Sequence, residues 1–317
     1  MATVKTSLRA RGGWADRIFS WVALAAAALV LVVLSLLAIT MTRRSWAALD
    51  LMGPDFVTSS RWAPPDKFFG AAAFIFGTLL SATIAVIIAV PVSIGIALFV
   101  TQVAPRWMRR PIVYVTDLLA VVPSVVFGLW GVLVFSGAIK GFYGWLHDTF
   151  GGIPVVGDVF GPPSASGRAF LTAGIILAIM IIPIVTSLSR EVIDTVPIAD
   201  REGALALGAT RWEMIRGSVL PYSTGGLVGA VMLGLGRAMG ETIAVALVIG
   251  SNAQITANVL ASGDSLPAVI ANQWGEADEI QKSALIGLAV TLFVITLAVN
   301  LVANSIVQRN LRRNQGL

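Results

Sequence analysis

Arg237 and Glu241 stand four residues apart inside an otherwise apolar run, and they are the groups in this sequence most able to handle charge. On an α-helix, residues i and i+4 share a face. An arginine at the centre of a membrane helix costs about 3 kcal/mol on insertion scales. Two readings follow. The pair is a structural ion bridge, or it lines a path for an anion. A guanidinium presents five donors in one planar fork, a match for tetrahedral oxyanions. Glu241 would hold that arginine, or accept a hydrogen bond from an anion that keeps a proton. Phosphate at neutral pH is such an anion and sulfate is not. Asp117 is a second charge within an apolar run, followed by Pro123 and Ser124, and reads as a structural element or a gate.

Covalent chemistry has few carriers. There is no cysteine and a single histidine, His147, which excludes thiol catalysis and histidine-cluster metal sites. No Gly-rich loop ends in Gly-Lys-Ser/Thr, so ATP is not held by that device. No catalytic residue, no metal site and no cofactor are therefore assigned to this chain.

A second constellation lies at residues 189–221, too polar to cross a membrane. Ala204 to Leu207 are good helix formers, and Gly208 supplies a cap or a bend. Thr210 with Glu213 three residues later forms a capping box. Trp212, Ile215 and Val219 then fall at helical spacing as an apolar stripe, and Pro221 starts the next helix. The expected element is helix, Gly-centred turn, helix. It exposes Leu205, Leu207 and Trp212 beside Glu202, Arg211 and Arg216. Such a surface suits a protein partner or a headgroup layer.

These groups need a membrane scaffold. The 317 residues are 56% hydrophobic and only 12% charged, and the mean hydropathy is +0.85. A soluble chain of this size cannot cover its surface with so few charges. A span needs about 20 apolar residues to cross about 30 Å. Six stretches qualify: 18–39, 68–99, 111–135, 170–188, 222–249 and 283–307. The fold expected is an all-α integral membrane bundle of six transmembrane helices. The first run is too long for a cleaved signal segment, whose apolar part is roughly 7–15 residues. Basic residues flank the spans unevenly, 14 on the side of both termini against 7 on the other, with Arg237 inside a span. By the positive-inside rule both termini are cytoplasmic. The net charge of +5 therefore reads as a topology signal and not as a nucleic-acid surface. Gly225, Gly229, Gly236 and Gly240 make two small-xxx-small pairs in the fifth span, expected to pack against neighbouring helices.

Residues 202–221 resemble the cytoplasmic-loop signature of permease subunits of binding-protein-dependent ABC importers. That signature reads Glu-Ala-Ala, three residues, Gly, nine residues, Ile, any residue, Leu-Pro. Glu202, Ala204, Gly208, Leu220 and Pro221 match it, while Gly203 and Ser218 depart from it. The resemblance implies a coupling helix seated in a cleft of an ATPase, with Arg211 and Trp212 in the docked turn. Within that family, RAMGETIAV at 237–245, GAVMLGLG at 229–236 and VVPSVVFG at 121–128 are similar to the permeases of bacterial phosphate importers. Ile243-Ala244-Val245 distinguishes the chain from the sister permease, which carries Ala-Pro and leucines there.

What the resemblance implies is a type I importer permease fold and a bacterial inner-membrane location. It implies an N-terminal tail, first helix and outer loop at 1–67, a permease core at 68–307 with its coupling loop at 189–221, and a basic tail at 308–317. It places Arg237 and Glu241 on the translocation path. Implied partners are a second, non-identical permease, two ATP-binding subunits that use ATP and Mg, and a periplasmic or lipid-anchored phosphate-binding protein, with membrane lipid around them and no nucleic acid. The alternatives are a permease for another oxyanion, such as sulfate or molybdate, and a stand-alone secondary transporter or channel.

Overall fold

The computed structural model describes residues 14–314. Lys5, Arg9 and Arg11 of the basic front lie outside the described residues, as do the side chains of Arg309, Arg312 and Arg313. Fourteen α-helices are described: α1 (Trp14–Met52), α2 (Asp55–Thr58), α3 (Ala72–Leu98), α4 (Arg106–Val121), α5 (Ser124–Trp130), α6 (Ser136–Phe150), α7 (Val156–Val159), α8 (Phe170–Asp194), α9 (Ile198–Ala206), α10 (Arg211–Met214), α11 (Leu220–Gly240), α12 (Ile243–Val248), α13 (Leu266–Gln273) and α14 (Glu279–Asn314). A short antiparallel pair, β1 (Trp62–Ala63) and β2 (Phe68–Phe69), decorates the first loop between spans. Single π-helical turns at Phe99–Val103, Gly131–Phe135 and Ile215–Val219 extend α3, join α5 to α6 and lead into α11.

Among the described residues six stretches are long and apolar enough to cross a membrane: Asp16–Met52, Ala72–Val103, Ser124–Phe150, Phe170–Asp194, Arg211–Gly240 and Glu279–Ala303. All six overlap the runs expected from hydropathy, five of them over most of the expected run. The third is displaced. Pro123 has no N–H to donate and pushes Val122 to extended backbone, ψ 126°. The helix therefore stops at Val121 and restarts at Ser124, and the span is 124–150 in place of 111–135. Lys140 consequently lies within a span and not in a loop. Asp117 lies on α4, an amphipathic helix outside the six spans, and is exposed.

The core is built around α8, the most enclosed span. Ala82, Ala85 and Ala89 of α3 pack on Ala173, Leu177 and Ile181 of α8, joined by Met239, Val245 and Val248 from α11 and α12. Close approach depends on missing side chains at a few points. A Cβ on Gly77 would stand 1.9 Å from the Asp264 carbonyl oxygen, and one on Gly263 would stand 2.0 Å from the Phe170 ring. By contrast α1 packs along α14 and leaves the rest of its apolar surface exposed, as a helix facing lipid does. Its join to α14 is polar: the Ala48 amide donates to Ser283 Oγ at 3.2 Å, and that hydroxyl donates to the Arg44 carbonyl at 2.8 Å.

Candidate functional site

Arg237 lies in the last turn of α11, about 26 Å along the helix from Leu220 at 1.5 Å per residue. Its side chain is exposed and lines an open groove of about 680 Å³ with Ile184 of α8, Gly236 and Gly229 of α11, and Asn300 of α14. The helix C-terminus concentrates partial negative charge from free carbonyls, which favours a cation at this position. Among the described residues Arg237 forms no ion pair and no side-chain hydrogen bond, so its donors are free toward the groove.

The ion bridge to Glu241, one of the two readings of the pair, is absent among the described residues. The helix ends at Gly240, and Glu241 has extended backbone, φ −68° and ψ 125°. Four residues of separation no longer place both side chains on one face. The break has a packing cause. It swings α12 against α5, where Ala244 comes so near that a Cβ on Gly128 would stand 2.8 Å from its Cα. Thr242 Oγ1 donates to the Gly240 carbonyl at 3.2 Å, satisfying one acceptor left by the break. Glu241 is half-buried and has no ion-pair partner among the described residues.

Three of the four glycines expected to pack do not. A Cβ added to Gly229, Gly236 or Gly240 would meet nothing within 4 Å, and the first two face the groove. Close packing is made instead by Gly226 against Val192 and Gly234 against Val185, eight residues apart on the side of α11 that meets α8. Asn300 was not singled out from the sequence. The available signal was an amide within an apolar span, which is costly unless it faces a cavity or partner.

The 189–221 segment forms the expected two-helix element. α9 ends in a Schellman motif: the Gly208 amide donates to the Leu205 carbonyl at 3.0 Å, and the Ala209 amide to the Ala204 carbonyl at 3.2 Å. Gly208 has φ +88°, a conformation that favours glycine. The capping box is complete. Thr210 Oγ1 accepts from the Glu213 amide at 3.3 Å, and Glu213 Oε2 accepts from the Thr210 amide at 2.8 Å. Arg201 Nη2 donates to the Ile193 carbonyl at 2.6 Å, tying the element to the end of α8.

Glu202 and Arg211 are exposed and Ala204 is half-buried. Of the apolar stripe Ile215 and Val219 are buried, joined by Met214, while Trp212 is 63% exposed, on the outward surface expected for it. Leu207 is 91% exposed. Trp212 thus belongs to the outward surface with Leu205 and Leu207. Beside Asp117, the Thr116 hydroxyl donates to the Val113 carbonyl at 2.8 Å within α4. Pro123 is exposed at the α4–α5 break, and Ser124 is half-buried at the start of α5 with no capping bond. None of these three lines the Arg237 groove.

Residues 89–315 match the family described as binding-protein-dependent transport system inner membrane component. The chain belongs to this family. It is 44% identical over 308 residues to the phosphate transport system permease protein PstC of Xylella fastidiosa strain 9a5c, covering 96% of this chain and 94% of that protein. It is 40% identical over 284 residues to PstC of Haemophilus influenzae, with 89% and 90% covered. Among solved structures, a bacterial alginate ABC transporter in complex with an alginate-bound periplasmic protein aligns with a TM-score of 0.56 at 19% identity, covering 95% of this chain and 98% of that one. A MetNI methionine ABC transporter chain in an inward-facing conformation aligns with a TM-score of 0.51 at 18% identity, covering 76% and 94%. At those identities the likeness shows the ABC-importer permease fold. As a member of this permease family, the chain is an integral, multi-pass membrane component. Among its described residues no group of three His, Cys, Asp or Glu side chains is arranged to hold a metal ion.

Proposed function

We propose that this chain is a permease subunit of an ATP-driven importer of inorganic phosphate, and that its Arg237 groove is one wall of the translocation path. The observation that carries the reading is a guanidinium with no partner among the described residues, aimed into an open groove between membrane spans. An arginine so placed meets its insertion cost only where a counter-charge or water reaches it. The relatives named as phosphate transport permeases, one at 44% identity over 96% of this chain, support phosphate as that counter-charge.

In this reading both termini are cytoplasmic, and residues 68–307 form the permease core between the 1–67 segment and the 308–317 tail. The groove is closed by a second, PstA-like permease. Substrate arrives from a periplasmic or lipid-anchored PstS-like phosphate-binding protein. Two PstB-like ATP-binding subunits receive the coupling element through Glu202, Ala204, Gly208, Arg211 and Trp212. ATP and Mg are bound by those subunits. Arg237 supplies charge to the anion in a low-dielectric path. Glu241, beyond the helix end and outside the residues that line the groove, would meet the anion at a different point of the path, as an acceptor for the proton that phosphate retains. Asp117, Pro123 and Ser124 mark the α4–α5 break as structural support or a gate. Rearrangement of the two permeases then changes the side to which the site opens.

The test is reconstitution with the partner subunits and ATP-dependent uptake of labelled phosphate, sulfate and molybdate. Arg237→Gln keeps hydrogen-bonding capacity but loses the fork and the charge. Loss of a counter-charge worth about 3 kcal/mol in a desolvated path lowers phosphate uptake roughly 100-fold per assembled complex. Near-normal phosphate uptake by assembled Arg237→Gln complexes refutes the pathway assignment, and preferential uptake of sulfate or molybdate by the unaltered complex refutes phosphate.

A further inference from the structure

A second cavity lies away from the groove, among the segments that connect the spans. It encloses about 420 Å³ and is lined by Ser60, Arg61, Trp62, Asn252, Asp264 and Gln273, among others. Its polar walls come from the β1 segment, the 251–265 loop and α13. In the topology proposed above all three face outward.

Asp264 is the unusual member. It is only 6% exposed. One carboxylate oxygen, Oδ1, accepts the Ser265 amide at 2.8 Å. Its other oxygen has no donor, and the residue forms no ion pair among the described residues. Arg61 is the one other charged side chain lining the pocket, and its charge is already engaged. It pairs with Asp66, and its guanidinium lies 5.4 Å from the centre of the Phe68 ring. Burial without a compensating charge pushes the Asp264 carboxyl up to about 7.

The backbone that carries the carboxylate is held closely. Its backbone carbonyl rests on Gly77, at a distance that admits no Cβ. The Leu266 amide donates to Thr78 Oγ1 at 2.9 Å, and the Ala268 amide to Ser265 Oγ at 3.3 Å. Gln273 is fixed in turn, its Oε1 accepting from Trp62 Nε1 at 2.9 Å and from Gln281 Nε2 at 3.0 Å. A single fixed carboxylate is too few ligands for a divalent metal, which takes six or more oxygens. It suits one ammonium or guanidinium arriving on a side chain, which gains a desolvated, charge-assisted hydrogen bond.

We propose that this pocket is a receptor for one lysine or arginine side chain, presented by the substrate-carrying protein that docks on the outer face. The proposal rests on the reading of the chain as a binding-protein-dependent permease. Asp264 is then a specificity anchor for docking and takes no part in the anion path.

The experiment uses the assembled complex in lipid nanodiscs and reads ATP hydrolysis against the concentration of its substrate-loaded binding protein, at pH 6, 7 and 8. An anchor of this kind must be ionised to attract a cation. The half-saturating concentration of the unaltered complex therefore rises several-fold as the pH falls from 8 to 6. Asp264→Asn raises that concentration about tenfold at pH 8 and flattens the pH profile. Ser60→Lys, at the exposed rim of the pocket, offers a cation from within the chain and raises it as well, without touching the buried carboxylate. Half-saturation at the unaltered value in both variants overturns the proposal. So does a fall in maximal rate with half-saturation unchanged, which a purely structural role produces. Absence of any stimulation in the unaltered complex overturns the binding-protein reading itself, and so is distinguished from a failure of the pocket.

Discussion

Replacing Gly208 isolates the coupling element from everything around it. The residue sits at the end of α9 with φ +88°, where its own amide and that of Ala209 close the Schellman motif. A Cβ added there would meet no atom within 4 Å, so a substitution carries no packing penalty. Its cost is the backbone conformation alone. For an L-residue in the left-handed region that cost is about 1–2 kcal/mol. Asparagine visits the region most readily and β-branched residues least. Asn, Ala and Val at position 208 therefore form a graded series. If the motif must be formed to dock, 2 kcal/mol converts to roughly a 30-fold loss of affinity for the ATP-binding subunit, at 1.4 kcal/mol per decade. The assay is an affinity titration of purified membrane subunits, variant by variant, against the ATP-binding subunit. The expected order of affinity is Gly, Asn, Ala, Val, with an unchanged yield of membrane subunit because the lost contacts are local. Binding by Gly208→Val at the unaltered affinity refutes the reasoning. A loss in all three variants without that order refutes it equally.

Thr210→Ala removes the reciprocal cap with Glu213, a loss of about 1 kcal/mol, and lowers affinity about fivefold in the same titration. Within α3, Gly77→Ala drives a Cβ into the Asp264 carbonyl and destabilises the purified protein by about 3 kcal/mol. Gly95→Ala on the same helix meets nothing within 4 Å and leaves the melting midpoint unchanged or higher. A thermal melt of the two variants side by side checks the contrast.

Much of this architecture was legible in the amino-acid order because its causes are local. Apolar runs near 20 residues cannot be covered by water-soluble packing, so the existence of six spans followed from hydropathy alone. The Thr210–Glu213 cap and the Gly208 turn are set within a few residues, and both formed where the sequence placed them. Pro123 lay in view, yet hydropathy could not say which side of it would supply the span, since both sides are apolar.

Other features depended on which neighbour each side chain meets. The helix break at Gly240 separates Arg237 from Glu241 because α12 turns to seat Ala244, Val245 and Val248 in the core. Gly226 and Gly234 face α8 while Gly229 and Gly236 face the groove, a matter of helix rotation that residue spacing leaves open. Met214, outside the stripe read from helical spacing, takes a buried position beside Ile215. Asn300 and Arg237 line one groove although 63 residues of chain separate them, and Asp264 is enclosed by segments drawn from three parts of it. Propensity, capping and hydropathy act over a few residues and are written in the order of the chain. Facing, enclosure and the pairing of charges depend on distant segments, and only the packed tertiary structure decides them.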